Sequence, residues 1–297
     1  MIALFKILAC LPLGLARLLG LMLGWMIWAL SARYRAMMNR AWNLAIQSGA
    51  LASGAGRTDS ARLRFLKRQA IGQAGLIATE LPKIWCDDHT MGRASVGGLQ
   101  EVLKALDAGR GAILLTPHLG AFELSPRVFS QYRPITVLYR PARQKRFRQL
   151  MEALRPRANL LTAPADASGV RALLRALRQG QAIGMLPDQV PAQGEGLWAP
   201  FFGQPAYTMV LPIRLAQSTN APIFWVLTVR TKTGWHLEFE PWNPGFSIRD
   251  VSVEQAVAAM NAALEQQIAR APDQYLWAYN RYKVPRGVAP APEALGR

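Results

Sequence analysis

The chain has 297 residues, 51% of them hydrophobic, enough for one large core with appendages and too many for a disordered protein. Two cysteines, Cys10 and Cys86, are too few for a disulfide framework, and no Cys/His pair has zinc spacing, so neither a metal nor a cofactor is expected. With 35 Lys and Arg against 18 Asp and Glu, the chain favours a polyanionic partner: nucleic acid, anionic lipid or an acidic carrier protein.

From Met1 to Ala32 only Lys6 and Arg17 are charged. As a helix, Leu13–Ala32 extends about 30 Å, one hydrocarbon thickness. Arg17 is placed to snorkel toward headgroups. Trp25 and Trp28 mark the far end, and Arg33, Arg35 and Arg40 follow at once. A cleaved signal peptide has a shorter apolar stretch and a small-x-small site; here the run passes into Trp and then basic residues. The reading is a membrane anchor over residues 1–32, spanning or lying in the interface, with the Arg cluster placing the main domain on the cytoplasmic side. A buried core helix is the alternative. Residues 33–285 are expected to form the main domain and 286–297 a flexible tail, with a linker-like Ser-Gly-Ala-Gly stretch at Ser53–Gly56.

Helices are expected over Tyr34–Gln47, from an Asp59 or Ser60 cap to about Leu81 where Pro82 intervenes, and over Leu99–Ala108. Ala112–Leu115 then reads as a buried strand broken by Pro117-His118-Leu119-Gly120, followed by a short helix over Ala121–Phe129 interrupted by Pro126. Further strands are expected at Ile135–Tyr139, Ala182–Leu186, Pro222–Val229 and Trp235–Phe239, and further helices at Gln144–Leu154, Gly169–Gln179, Leu211–Ser218 and Ser252–Ala269. Pro187–Tyr207 reads as a long loop. Strands alternating with helices imply an α/β fold: a mostly parallel central sheet flanked by helices, with its chemistry in loops at the carboxyl ends of strands. The His118 and Asp188 loops occupy that position.

Of three histidines, His89 sits in a polar turn and His236 alternates within a strand. His118 directly follows an apolar strand, with Glu123 five residues on; a strand-to-helix turn lets Glu123 fold back toward the imidazole, fix its tautomer and leave the other nitrogen to take a proton from a hydroxyl. A helix-capping histidine is the plainer reading of the same spacing. Arg127 to Arg157 holds nine Lys and Arg with one acid, Glu152, and reads as a solvated basic face or a docking surface for phosphates or an acidic carrier. Arg155, between Leu154 and Pro156, is placed to point into a site, and Asp188 tops the third strand or caps the next turn. No G-x-S-x-G follows a strand, which disfavours a serine hydrolase. A non-catalytic basic protein on membranes or nucleic acid is the rival class, but no nucleic-acid motif appears and no nucleic-acid partner is expected.

Together these segments carry a resemblance. TPHLGAFE (Thr116–Glu123) resembles the H-x4-D/E motif of the glycerolipid acyltransferase superfamily; VLYRP (Val137–Pro141), LPDQVPAQGEGLWAPFFGQPAYT (Leu186–Thr208) and APDQYLWAYNRYK (Ala271–Lys283) are similar to further blocks of its lipid A biosynthesis, or late, acyltransferases. The resemblance covers nearly the whole chain and is weakest between Ser53 and Gly98. It implies a membrane-bound enzyme on the cytoplasmic face of the inner membrane. The donor would be an acyl-carrier-protein thioester and the acceptor the hydroxyl of a 3-hydroxyacyl chain on a Kdo-bearing, phosphorylated lipid A precursor; another membrane glycolipid or phospholipid is the alternative acceptor. His118 and Glu123 match the family's catalytic pair; Arg155, Arg140 and Asp188 match its substrate-binding or oxyanion positions. Trp198, Phe201 and Phe202 would line the acyl pocket, touch the membrane or simply pack in the core.

Overall fold

The computed structural model describes residues 2–52, 59–142 and 144–292; the Ser53–Gly56 stretch and residues 293–297 of the tail lie outside them. Two apolar helices lead, α1 (Ile2–Ala9) and α2 (Leu13–Leu30), separated at Pro12, where the ring cannot continue the preceding helix. Next come α3 (Ala32–Gln47), with the Ser31 hydroxyl accepting from Tyr34 N–H, and α4 (Ser60–Cys86), with the Asp59 carboxylate accepting from Ala61 and Arg62 N–H. α4 runs through Pro82 rather than ending before it, because Ile84 and Trp85 in its last turn are buried and anchor that turn to the core.

Beyond it follow β1 (Ala94–Gly97), α5 (Leu99–Asp107), β2 (Ala112–Leu115), α6 (Leu124–Phe129), β3 (Ile135–Tyr139), α7 (Lys145–Leu154), β4 (Leu160–Pro164), α8 (Ala167–Arg178) and β5 (Ala182–Met185). The chain closes with β6 (Gly196–Phe201), β7 (Gln204–Met209), α9 (Leu211–Thr219), β8 (Ile223–Arg230), β9 (Trp235–Pro241) and α10 (Val253–Arg270).

Seven strands form one sheet in the order β1-β9-β8-β2-β5-β3-β4. The run from β8 to β4 is parallel; β9 is antiparallel to β8, and β1 runs parallel to β9. β2 and β5, both wholly buried, occupy the centre, as expected where helices cover both faces. Two apolar layers flank the sheet, one including Met38, Trp42, Leu115, Met185, Trp225 and Met260, the other Trp85, Leu114, Phe129, Val226, Trp235 and Phe239.

Besides α4 and the unexpected strands β1 and β4, two regions depart from the sequence expectations. The Pro187–Tyr207 stretch is not one loop: β6 and β7 pair as an antiparallel hairpin apart from the main sheet. Its backbone is pinned from outside, by the Asn261 amide donating to Pro200 O and by Arg281 donating to Tyr207 O and the Thr208 hydroxyl. Phe201 and Phe202 are core residues, stacked on each other and on Tyr282 and Trp277. Arg17 does not snorkel: it donates to Glu80 at 2.7 Å and to Gly234 O at 2.7 Å. Residues 287 and 289 of the tail accept from Gln193 and Trp198, so the start of the tail lies against the hairpin side of the domain.

Candidate active site

The register of β2 on β5 builds the site. Leu115 lies opposite Met185. His118 and Asp188 each sit three residues beyond that pair, at the carboxyl ends of adjacent parallel strands, so their side chains meet. Asp188 Oδ1 is 2.7 Å from His118 Nδ1, and Oδ2 accepts from the His118 backbone N–H at 2.9 Å. Asp188 is only 2% exposed. Burial pushes its carboxyl up, but the His118 imidazole and the hydrogen bonds from His118 outweigh that, holding it below the ordinary Asp value.

An ionised carboxylate only accepts, so Nδ1 carries the proton and Nε2 offers a lone pair. Nε2 lies 3.0 Å from the Gln189 side-chain amide nitrogen, which donates to it. The ring stacks on Phe122 at 4.8 Å. The turn holding His118 is fixed by the closing segment of the chain: Leu276 N–H donates to His118 O, and Gly120 N–H to Gln274 O. Gly120 adopts φ +60°, and a Cβ there would stand 1.8 Å from Thr228 O, so only glycine fits.

Glu123 is not the residue that orients His118. Its carboxylate is held by Arg155, through Nη2 to Oε1 and through Nε to Oε2 at 3.0 Å, and accepts from Trp85 Nε1 at 3.2 Å. The guanidinium lies over the Trp85 ring, 5.9 Å from its centroid. Both partners of this pair are 13% exposed. The imidazole partner is Asp188, which the sequence had suggested for substrate or oxyanion binding; buried beneath the ring, it is placed for neither.

His118, Glu123, Arg140, Arg155 and Gln189 nevertheless line one cavity of about 260 Å³. At Leu138, Arg140, Ala165, Pro191 and Met209 it adjoins a groove of about 710 Å³ with apolar walls that include Val170, Leu174 and Leu215 and with Arg171 and Arg214 alongside. A third, narrow apolar cavity of about 40 Å³ runs from Glu123 and Arg155 toward Leu114, Val137, Gly184 and Phe239.

The basic block is divided between structural ties and exposed cations. Arg127, 2% exposed, donates to Asp88 and Trp85 O; Arg157 donates to Trp85 O; Arg133 pairs with Asp107. Arg140 and, on α7, Lys145, Arg146 and Arg148 stay exposed. His89 is an exposed turn residue, and His236 bonds Ser95 and Glu238 away from the site. Gln189 was missed by sequence reasoning; its place directly after Asp188 was the available signal. Among the described residues no His/Cys/Asp/Glu cluster has the makings of a metal site.

Residues 1–284 match the family described as bacterial lipid A biosynthesis acyltransferase. The chain is 30% identical over 220 residues to a lipid A biosynthesis palmitoleoyltransferase of Escherichia coli K12, covering 72% of this chain and 69% of that one. It is 26% identical to a lipid A biosynthesis lauroyltransferase of the same organism, over 72% and 70% of the two chains. A Haemophilus influenzae lipid A biosynthesis acyltransferase is 25% identical over 95% of this chain and 88% of its own.

Proposed function

The chain belongs to the bacterial lipid A biosynthesis acyltransferases, and from that premise we propose that it moves a fatty acyl chain from an acyl-carrier-protein thioester to the hydroxyl of a 3-hydroxyacyl chain on a Kdo-bearing lipid A precursor. His118 is the general base. Its Nε2 lone pair takes the proton as the acceptor oxygen attacks the thioester carbonyl carbon; the C–S bond breaks, and the leaving thiolate recovers the proton from the imidazolium. Asp188 aims the ring and balances its transient charge. The acceptor hydroxyl displaces the Gln189 amide from Nε2.

Glu123 acts through Arg155. Fixed by that carboxylate and by the Trp85 ring, the guanidinium stands at the cavity wall, where it stabilises negative charge on the tetrahedral carbonyl oxygen or on a substrate phosphate. Arg140, exposed at the junction of cavity and groove, receives a phosphate of the glycolipid. The acidic carrier docks on the exposed bases of α7. The enzyme works at the cytoplasmic face of the inner membrane.

The observation that carries this reading is an imidazole with Nδ1 committed to a buried carboxylate and Nε2 open to a cavity. The test is transfer by purified His118→Ala from acyl carrier protein to a Kdo-lipid A precursor. We expect a rate about 10²–10⁴-fold below the unaltered enzyme, with an unchanged circular dichroism spectrum. Transfer near the original rate sinks the assignment. Activity of the unaltered enzyme only on other glycolipids or phospholipids keeps the base and corrects the acceptor.

A further inference from the structure

The apolar leader rests on the domain along one stripe, from Leu13 to Gly24. α2 buries a stripe of Leu13, Ala16, Gly20 and Gly24. That stripe lies antiparallel on α4, with Gly20 against Leu76 and Thr79 and Gly24 against Ile71 and Gly72. The approach is backbone to backbone: a Cβ on Gly75 would stand 2.0 Å from Gly20 O, and one on Gly24 2.4 Å from Ile71 O.

Polar ties fix both leading helices. Arg17 pairs with Glu80, which is fully buried and also holds Arg230 at 2.6 Å. Lys83 caps the end of α1 by donating to Ala9 O at 2.7 Å. Arg35 closes the end of α2, donating to Trp28 O at 2.8 Å. Phe5 of α1 stacks on Trp85, the indole that donates to Glu123.

The opposite face is apolar and bare. Leu15, Leu18, Met22, Met26 and Leu30 of α2 project outward, Met22 at 61% and Leu30 at 80% exposure, continued by Leu4 and Ile7 of α1. Exposed cations fringe it: Lys6 on α1 and Arg33 just past α2. The α2–α4 register brings the exposed Arg68 of α4 to the Leu30 end as well.

α2 is about 27 Å long, long and apolar enough to cross a membrane. Crossing while docked would draw the β8–β9 turn that Arg17 holds, with its exposed Lys232, into the bilayer; crossing undocked would strip Glu80 of Arg17 and bare the glycine backbone. A face apolar on one side and protein-bound on the other suits neither, but suits a helix lying flat in an interface.

We propose that α1 and α2 form a monotopic docking surface that beds in one leaflet of a bilayer with anionic headgroups and does not cross it. Phe5 and Trp85 then set the Glu123–Arg155 wall two side chains from the lipid, so an amphiphilic acceptor reaches the cavity from the leaflet. This rests on the membrane assignment above.

The test uses full-length protein in spheroplasts, in a Cys10→Ser/Cys86→Ser background, with single reporters Ala3→Cys on α1 and Asp107→Cys on the domain. A membrane-impermeant maleimide is added outside, before and after detergent. Both reporters should stay unlabelled until the membrane is opened, then label alike. Labelling of Ala3→Cys, but not Asp107→Cys, in intact spheroplasts overturns the docking surface. Either result leaves the acyl-transfer assay to judge the catalytic reading separately. Recovery of the unaltered chain in the soluble fraction overturns the membrane assignment and the docking surface with it.

Discussion

Two acid–base pairs flank the same cavity and are held in different ways. His118–Asp188 is fixed by strand register: the two residues occupy equivalent steps beyond Leu115 and Met185, and the carboxylate is sealed under the ring. Glu123–Arg155 is assembled from the starts and ends of helices, Glu123 just before α6 and Arg155 just after α7, against the Trp85 ring. The first pair is anchored in the centre of the sheet and suits the proton transfer. The second sits at the cavity wall against the buried Trp85, and suits a wall that receives substrate charge.

The sharpest way to break this contrast is Asp188→Asn. Asparagine fits the space but also offers an N–H to Nδ1, so the tautomer with a free Nε2 lone pair is no longer enforced. We expect kcat to fall about 10²–10⁴-fold with KM little changed; a rate within a few-fold of the unaltered enzyme would return the orienting role to Glu123. Next in size is a double-mutant cycle read by thermal or urea unfolding. Glu123→Gln and Arg155→Gln should couple by about 0.5–3 kcal/mol, whereas Glu123→Gln and His118→Ala should add within about 0.5 kcal/mol. Strong coupling in the second cycle would restore a direct Glu123–His118 contact.

The smallest effect appears only in acid. The folded Asp188 carboxyl lies below its ordinary value, near 3.9 unfolded. Its stabilisation is therefore complete above about pH 4 and disappears as pH falls through the folded pKa. Asp188→Asn should accordingly lose less stability between about pH 5 and pH 3 than the unaltered chain, by chemical unfolding at each pH. Parallel curves would place the pair's contribution elsewhere.

Much of this was legible along the chain. Ala112–Leu115 followed by Pro117-His118 marked a buried strand and a polar turn, because four apolar residues stopped by proline have few other uses. β4 was not: Leu161 is exposed and Pro164 ends the strand, so its apolar signal was too short to stand out. β1, Ala-Ser-Val-Gly, has almost no apolar pattern and forms by pairing with β9. The β6–β7 hairpin hid behind Pro200 and Pro205, which face each other across the ladder and supply no N–H to it.

The site divided in the same way. The sequence by itself placed the His118 turn at the carboxyl end of a strand, because strand period and breaker residues act locally, and the family resemblance added Arg140 and Arg155; His118, Glu123, Arg140 and Arg155 do share a cavity. Only the tertiary structure decided which acid faces which base. Asp188 lies 70 residues from His118 and Arg155 32 from Glu123, and a partner at that range is chosen by sheet order and register, which no local pattern encodes. The leader followed the same rule: composition made α2 apolar, while the glycine face against α4 and the buried Glu80 decided where it rests.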